Sequence, residues 1–379
     1  MIEISDFQIF AKPVGSSCNL ACRYCYYLGK EPVGSDSGIV SMSDELLEKY
    51  IRQHIEATSG DTVMFSWHGG EPLLAGIPFY QKALAFQQSY LPQGKRVLNG
   101  LQTNGTLLNE DWCQFLAQNG FFVGLSIDGP ARFHDPFRIN RGGSGTFDQV
   151  LKGFQLLVRF GIIPEILCVV NSNNVEHPLL VYRFLRDLGT KYLTFLPLVN
   201  KMYGKSAEVT VDSVSSESFG NFLIAVYDEW VSRDIGHIKI QVIEEALRTA
   251  FQQDHTLCIF KTECGGVPVV THAGDIYSCD HFVDGDHFLG NLKQNYLKDV
   301  LFNNIQTEFG QRKRSTLPEM CKACPVLNMC NGECPKNRFT ITPDGEPGLN
   351  YLCAGYRKFF THIQPFVMEV RRNWLSQAL

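Results

Sequence analysis

Ser17-Cys18-Asn19-Leu20-Ala21-Cys22-Arg23-Tyr24-Cys25-Tyr26-Tyr27 is the stretch on which the reading of this chain turns. Its three cysteines are spaced C-x3-C-x2-C. Three thiolates on one short loop can hold three irons of a cubane iron–sulfur cluster, which ordinarily takes four cysteines. The fourth iron is then open to a small chelating molecule, and an open position separates a reactive metal site from a structural one. A zinc loop is the competing reading. C-x2-C alone favours it, but a third cysteine at x3 among aromatic residues does not suit a zinc ribbon.

Outward from this loop, the first half of the chain alternates apolar runs with helical periodicity. Residues 7–11 read as a strand feeding the cysteine loop, and Ser41 or Ser43 caps a helix over 44–57. Strands follow at 62–67, 96–101, 121–127, 165–170 and 192–198, with helices at 78–90, 109–117, 146–160 and 174–188 between them. Six strand–loop–helix units with right-handed crossovers imply an α/β fold with a parallel sheet curled into a partial (β/α)6 barrel. Chemistry in such folds sits at the carboxyl ends of the strands. The cysteine loop follows strand one, Gly69-Gly70-Glu71-Pro72 strand two, Gln102-Thr103-Asn104-Gly105 strand three and Asp128-Gly129-Pro130 strand four. Residues 200–214 read as a polar rim loop, with helices at 217–232, 243–252 and 297–309 beyond it. A hairpin spans 267–279, a cysteine-rich coil 319–354 and a closing helix 355–375. The expected division is a barrel over 1–235 and a cysteine-rich extension over 236–379.

The chain has 379 residues and 13 cysteines. Cys18, Cys22 and Cys25 form one group, and eight more lie between 258 and 353. In a reducing compartment such a count favours metal ligation over disulfides. Three plus eight suits one open cluster and two fully ligated ones, with two zinc sites as the alternative for the eight. Cys113 and Cys168 stand apart in apolar patterns and read as core residues. The net charge of −5, without a basic block, argues against nucleic acid or an anionic membrane as partner. No leader-like N-terminus and no run of 18 apolar residues is present, so a soluble, cytoplasmic protein is expected.

Gly69, Gly70 and Glu71 offer backbone carbonyls and a carboxylate to an ammonium group, glycine permitting close approach. Tyr24 is placed either against an adenine or in the core. Ser126 and Arg138 suit a carboxylate. Asp280, directly after Cys279, is a candidate proton acceptor beside a cluster, with His281 as the rival base.

The triplet resembles the signature of the radical S-adenosylmethionine (SAM) superfamily. The whole chain resembles its anaerobic sulfatase-maturating enzymes, which carry a C-terminal SPASM extension. The stretches that carry this are the triplet with Tyr26-Tyr27, Trp67-His68-Gly69-Gly70-Glu71-Pro72, Leu101-Gln102-Thr103-Asn104-Gly105-Thr106 and Ser126-Ile127-Asp128-Gly129-Pro130. Downstream they are Tyr277-Ser278-Cys279-Asp280-His281-Phe282, Cys330-Asn331-Gly332-Glu333-Cys334 and Leu349-Asn350-Tyr351-Leu352-Cys353. The resemblance implies oxidation of a Cys or Ser in a sulfatase Cys/Ser-x-Pro-x-Arg motif to Cα-formylglycine through a 5′-deoxyadenosyl radical. It implies three [4Fe-4S] clusters and SAM as cofactors, and as partners a sulfatase polypeptide and an electron donor such as flavodoxin or ferredoxin, for a monomeric enzyme. Cys18, Cys22 and Cys25 would hold the SAM cluster. Tyr24, Gly70, Ser126 and Arg138 would contact SAM, as would Val199, where the family example has leucine. Cys258, Cys264, Cys279 and Cys334 would bind one auxiliary cluster, and Cys321, Cys324, Cys330 and Cys353 the other. Spacing alone groups 321, 324, 330 and 334. Asp280 matches the family's proton acceptor. Two further readings stand beside this one: a related maturase that modifies or crosslinks another peptide, and a non-catalytic zinc or electron-transfer protein.

Overall fold

The computed structural model describes residues 7–27, 40–202, 204 and 208–377; the acidic start at 1–6, and Tyr203 with 205–207 of the expected rim loop, lie outside them. Among the described residues ten strands precede a C-terminal hairpin, in chain order: β1 (Ile9–Ala11), β2 (Thr62–Trp67), β3 (Arg96–Thr103), β4 (Phe122–Ser126), β5 (Glu165–Val170), β6 (Tyr192–Pro197), β7 (Lys239–Ile240), β8 (Val269–Val270), β9 (Asp275–Tyr277) and β10 (Phe288–Asn291). The chain forms two compact units, neither continuous in sequence. One comprises the chain up to Ser126 with Asp135–Pro164 and Gly265–Gly310. The other comprises Ile127–His134, Glu165–Cys264 and the chain from Gln311.

In the first unit β8, β1, β2, β3 and β4 are parallel neighbours in that order. β9 and β10 continue from β8 as antiparallel strands. The alternation of β2 buries Val63, Phe65 and Trp67. The helix Asp44–Ala57 covers them with Leu47, Tyr50 and Ile51, and the Tyr50 ring meets both Phe65 and Trp67 edge-on. Ser43 caps this helix by accepting from the Leu46 N–H at 3.3 Å. Asn109 does the same for Glu110–Gln118 through the Trp112 N–H at 2.9 Å. Cys113 and Cys168 are fully buried, as core residues are.

In the second unit β5, β6 and β7 are parallel neighbours. The helix expected over 174–188 starts only at Pro178. Asn171 and Asn174 build a side-chain turn ahead of it: Asn174 accepts from the Asn171 N–H at 2.8 Å and donates to the Val169 carbonyl at 2.9 Å. The helix expected over 297–309 is two, Leu297–Leu301 in the first unit and Asn304–Ser315, whose last residues belong to the second. Asn303 interrupts it because its side chain accepts from the Gln306 N–H at 2.8 Å. The expected coil at 319–354 contains two single-turn helices, Glu319–Lys322 and Leu327–Cys330, and a hairpin of Thr340–Ile341 with Pro347–Leu349. The closing helix is Cys353–Gln377. Part of the rim loop pairs with itself, Met202 N–H to the Glu208 carbonyl and Thr210 N–H to that of Asn200.

Candidate active site and cluster-binding centres

The cysteine loop leaves the carboxyl end of β1 and is held down from three sides. From β2, the Gly70 N–H donates to the Gly15 carbonyl at 3.0 Å and the Glu71 N–H to that of Ser17 at 2.9 Å. A Cβ on Gly70 would stand 2.1 Å from the Ser17 oxygen, and one on Gly69, at φ +122°, 2.6 Å from that of Gly15. The glycine pair is therefore where two backbones touch. From β3, the Asn104 side chain donates to the Cys18 sulfur at 3.7 Å and to the Asn19 Oδ1 at 2.9 Å, while Asn19 donates to the Thr106 hydroxyl at 2.8 Å. From the third side, Arg141 donates twice to the Cys18 carbonyl, at 3.1 and 2.8 Å.

Burial pushes the Cys18 thiol up to about 12, the Leu20 N–H pulls it down, and Glu71, Cys22 and Cys25 add to the rise. Without a metal the Cys18 thiol is therefore protonated; three cysteines on one anchored loop are the donor set that a cubane with one open iron would take. Glu71 itself is fully buried. Its Oε1 accepts from Thr103 Oγ1 at 2.8 Å and the Leu73 N–H at 3.1 Å, and its Oε2 from the Asn104 N–H at 2.8 Å. Burial lifts it to about 7 against these bonds. Its carboxylate ties β2 to β3 beneath the loop.

Tyr24 stacks on Phe137, ring centroids 5.8 Å apart, and the guanidinium of the buried Arg138 lies 5.4 Å over its ring. These two candidate SAM contacts are thus neighbours. Ser126 ends β4, and its hydroxyl accepts from Gln102 at 3.1 Å. Val199 lies just past β6 in the second unit and is buried.

Asp280 stands in a cage of donors. The Lys12 ammonium lies 2.8 Å from Oδ1, both side chains nearly out of solvent. Tyr27 reaches Oδ1 at 2.9 Å and Oδ2 at 3.0 Å, and Tyr26 donates to Oδ2, with its oxygen 2.9 Å from the Tyr27 hydroxyl. Burial raises the Asp280 carboxyl, but the charge and hydrogen bond of Lys12, with the Tyr26 bond, overcome this and hold it well below the usual range. Burial and the Asp280 charge push both tyrosines up, so they remain donors. Lys12 also sits 4.2 Å over the Tyr27 ring. His68 stacks on Phe10 at 3.8 Å, and burial lowers it to about 4, so its imidazole is neutral at neutral pH. His281 packs against Tyr26, with centroids 5.5 Å apart.

The sequence assigns no role to Lys12, and Tyr26 and Tyr27 enter there only as part of the stretch that carries the resemblance. The usable signal is weak. Lys12 interrupts an apolar strand end, Ile9-Phe10-Ala11-Lys12-Pro13, and the tyrosines follow the last cysteine of the loop.

In the second unit Cys321, Cys324, Cys330 and Cys353 line one cavity of about 310 Å³, and Cys334 does not. About 10–15 Å³ of such space holds one water, so the cavity suits a group far larger than a single ion. It is the set assigned by resemblance rather than by spacing. Burial pushes Cys330 up to about 12 and Cys353 up to about 11. Cys353 opens the long helix Cys353–Gln377, where the dipole favours a thiolate. Cys258, Cys264 and Cys334 share the field of Lys313, a buried lysine whose ammonium donates to the Cys258 and Ile259 carbonyls at 3.0 and 2.7 Å. Cys279 follows β9 in the first unit.

Residues 13–185 match the radical SAM superfamily and residues 258–325 the SPASM iron-sulfur cluster-binding domain. The fold and these two domain matches define a radical SAM enzyme with a SPASM extension, whose cofactors are iron–sulfur clusters and SAM. The chain is 41% identical to the serine-type anaerobic sulfatase-maturating enzyme of Bacteroides thetaiotaomicron, over 97% of this chain and 92% of that one. It is 30% identical to the cysteine-type enzyme of Clostridium perfringens, over 97% and 98%. The solved structure of native anSMEcpe with bound AdoMet and Cp18Cys peptide matches with a TM-score of 0.87 at 30% identity, covering 97% of this chain and 99% of that one. The chain belongs to the anaerobic sulfatase-maturating enzymes. Among the described residues no helix is long and apolar enough to cross a membrane.

Proposed function

We propose that the protein oxidises a serine or cysteine in a sulfatase Cys/Ser-x-Pro-x-Arg segment to Cα-formylglycine, with Asp280 as proton acceptor. The division of labour is a barrel over 1–235 and a cluster-bearing extension over 236–379. Cys18, Cys22 and Cys25 hold the SAM cluster. Tyr24, Gly69, Gly70, Glu71, Ser126, Arg138 and Val199 form the SAM environment. Cys258, Cys264, Cys279 and Cys334 hold one auxiliary cluster, and Cys321, Cys324, Cys330 and Cys353 the other. When bound, the three clusters and SAM supply a carbon radical for hydrogen abstraction from the substrate Cβ and a sink for the second electron.

The chain's own residues supply position and proton transfer. Arg141, Asn104 and Gly70 fix the cysteine loop. Arg138 and Tyr24 offer a guanidinium and an aromatic face to a carboxylate and an adenine. Asp280 takes the proton from the substrate hydroxyl or thiol. The observation that carries this reading is the bonding of Tyr26 and Tyr27 to Asp280: it ties the end of the cysteine loop to the residue after Cys279. The higher identity to serine-type relatives supports serine as the preferred target.

The test is a reduced-enzyme incubation with two peptides that differ only in Ser or Cys before x-Pro-x-Arg. Mass spectrometry is expected to show loss of two hydrogens from the serine peptide, and an aldehyde trapped by a hydrazide. No aldehyde from either peptide, alongside normal SAM cleavage, refutes the sulfatase reading.

A further inference from the structure

Between Cys330 and Cys334 the backbone does something unusual. Asn331, Gly332 and Glu333 all have positive φ, at 45°, 70° and 52°. A non-glycine residue in this left-handed region is strained and persists only where its surroundings enforce it. One side chain does most of the enforcing. Arg338 donates to the Gly332 carbonyl at 2.8 Å, to that of Asn331 at 2.8 Å and to that of Glu333 at 3.3 Å. Its remaining nitrogen donates to the Lys313 carbonyl at 2.5 Å. A Cβ on Gly332 would stand 2.4 Å from Arg338 Nη2, so glycine is needed for the guanidinium to lie against the turn.

The turn joins two sulfurs that the proposed function gives to different clusters, Cys330 and Cys334. The Gly332 N–H donates to the Cys330 sulfur. The guanidinium sits in the field of Cys264 from one set and of Cys321 and Cys330 from the other. An arginine keeps its charge when buried. A fixed cation beside a cluster favours the state with one more electron, and cluster potentials follow local charge and hydrogen bonds to sulfur.

We propose that Arg338 is a positioning residue shared by the two auxiliary-cluster sites, fixing the 331–333 turn and raising both reduction potentials so that the pair accepts the substrate's electron. The inference rests on the cysteine assignment made under the proposed function. Its electron comes from the oxidised substrate, whose proton goes to Asp280.

The test is an EPR-monitored redox titration of the holoenzyme and of Arg338→Gln, Arg338→Lys and Arg314→Gln, with iron content measured on each. Arg314 is an exposed cation of the neighbouring helix and serves as the charge control. In Arg338→Gln, both auxiliary clusters are expected to become at least tenfold harder to reduce, about 59 mV for one electron. Arg338→Lys recovers most of that shift, and Arg314→Gln and the SAM cluster do not move. Unmoved potentials in Arg338→Gln at full iron content, or a shift in one auxiliary cluster alone, overturn the proposal. Iron lost from Arg338→Gln but restored in Arg338→Lys supports the need for a cation there; iron lost from both reduces Arg338 to packing and overturns it. A wild-type enzyme without two auxiliary clusters refutes the cysteine assignment and this inference together, whereas a normal wild type with unmoved variants refutes this inference alone.

Discussion

At the scale of single residues, the cage around Asp280 sets what its carboxylate can do. Lys12 and the two tyrosines keep it ionised through neutral pH. Asp280→Asn removes the basic carboxylate while keeping an amide oxygen that can still accept from Tyr26 or Tyr27 at the end of the cysteine loop. Peptide oxidation is expected to fall by about 10²–10⁴-fold, the usual worth of a positioned acid or base, while SAM cleavage continues uncoupled; chromatography of 5′-deoxyadenosine beside peptide mass spectrometry reads both. Lys12→Met tests the electrostatics. Burial, the largest influence, raises the Asp280 carboxyl, and Lys12 is the chief force lowering it. Without Lys12 the burial effect prevails and the carboxyl protonates at higher pH. The acid limb of the oxidation rate is then expected to move upward by about 1–3 units, the range over which a neighbouring cation displaces a carboxylate. An unshifted limb would mean that the rate does not follow this carboxylate.

At the scale of elements, the strand ends carry the site, and most were legible. β2 and β5 fall on the residues their alternation and β-branched content mark, because one face of each is buried. Helix starts were legible where a lone Ser43 or Asn109 caps, and not at 174–178, where two asparagines turn inward on each other. The Asp280 cage was not legible at all. It joins Lys12 to Tyr26, Tyr27 and a residue more than 250 positions away, a separation that no local pattern reports. The Gly69-Gly70 pair was noticed, but its position shows contact with the cysteine loop as the reason for glycine. Gly70→Ala sets a methyl carbon against the Ser16 and Ser17 carbonyls, which backbone cannot yield cheaply. It is expected to displace the loop, so that the triplet loses its iron and SAM cleavage is abolished, while the iron held by the eight downstream cysteines stays. Iron analysis with EPR of the reduced protein separates the two, and full iron with normal SAM cleavage would refute the close-contact argument.

At the scale of the whole molecule, the two units differ in what holds them. The first has an aromatic core of Tyr50, Phe65, Trp67 and Tyr80, all essentially without solvent exposure, and it needs no metal to bury its apolar surface. In the second, the stretch from Glu319 to Cys353 has only single-turn helices and a short hairpin among its described elements, and Cys321, Cys324, Cys330 and Cys353 line a cavity there. Burial raises the thiols of Cys321, Cys330 and Cys353, so sulfurs left without metal there are protonated and have little to hold them together. Metal binding and folding of such a segment are one equilibrium. Stripping iron with a chelator under reducing, anaerobic conditions is therefore expected to open Arg312, Arg314 and Lys322, which are already exposed, to rapid tryptic cleavage. The barrel strands remain protected over the same interval. Mapping the first cuts by mass spectrometry, with and without chelator, checks the order. Barrel cleavage at the same rate would show that the first unit also depends on its cluster for stability.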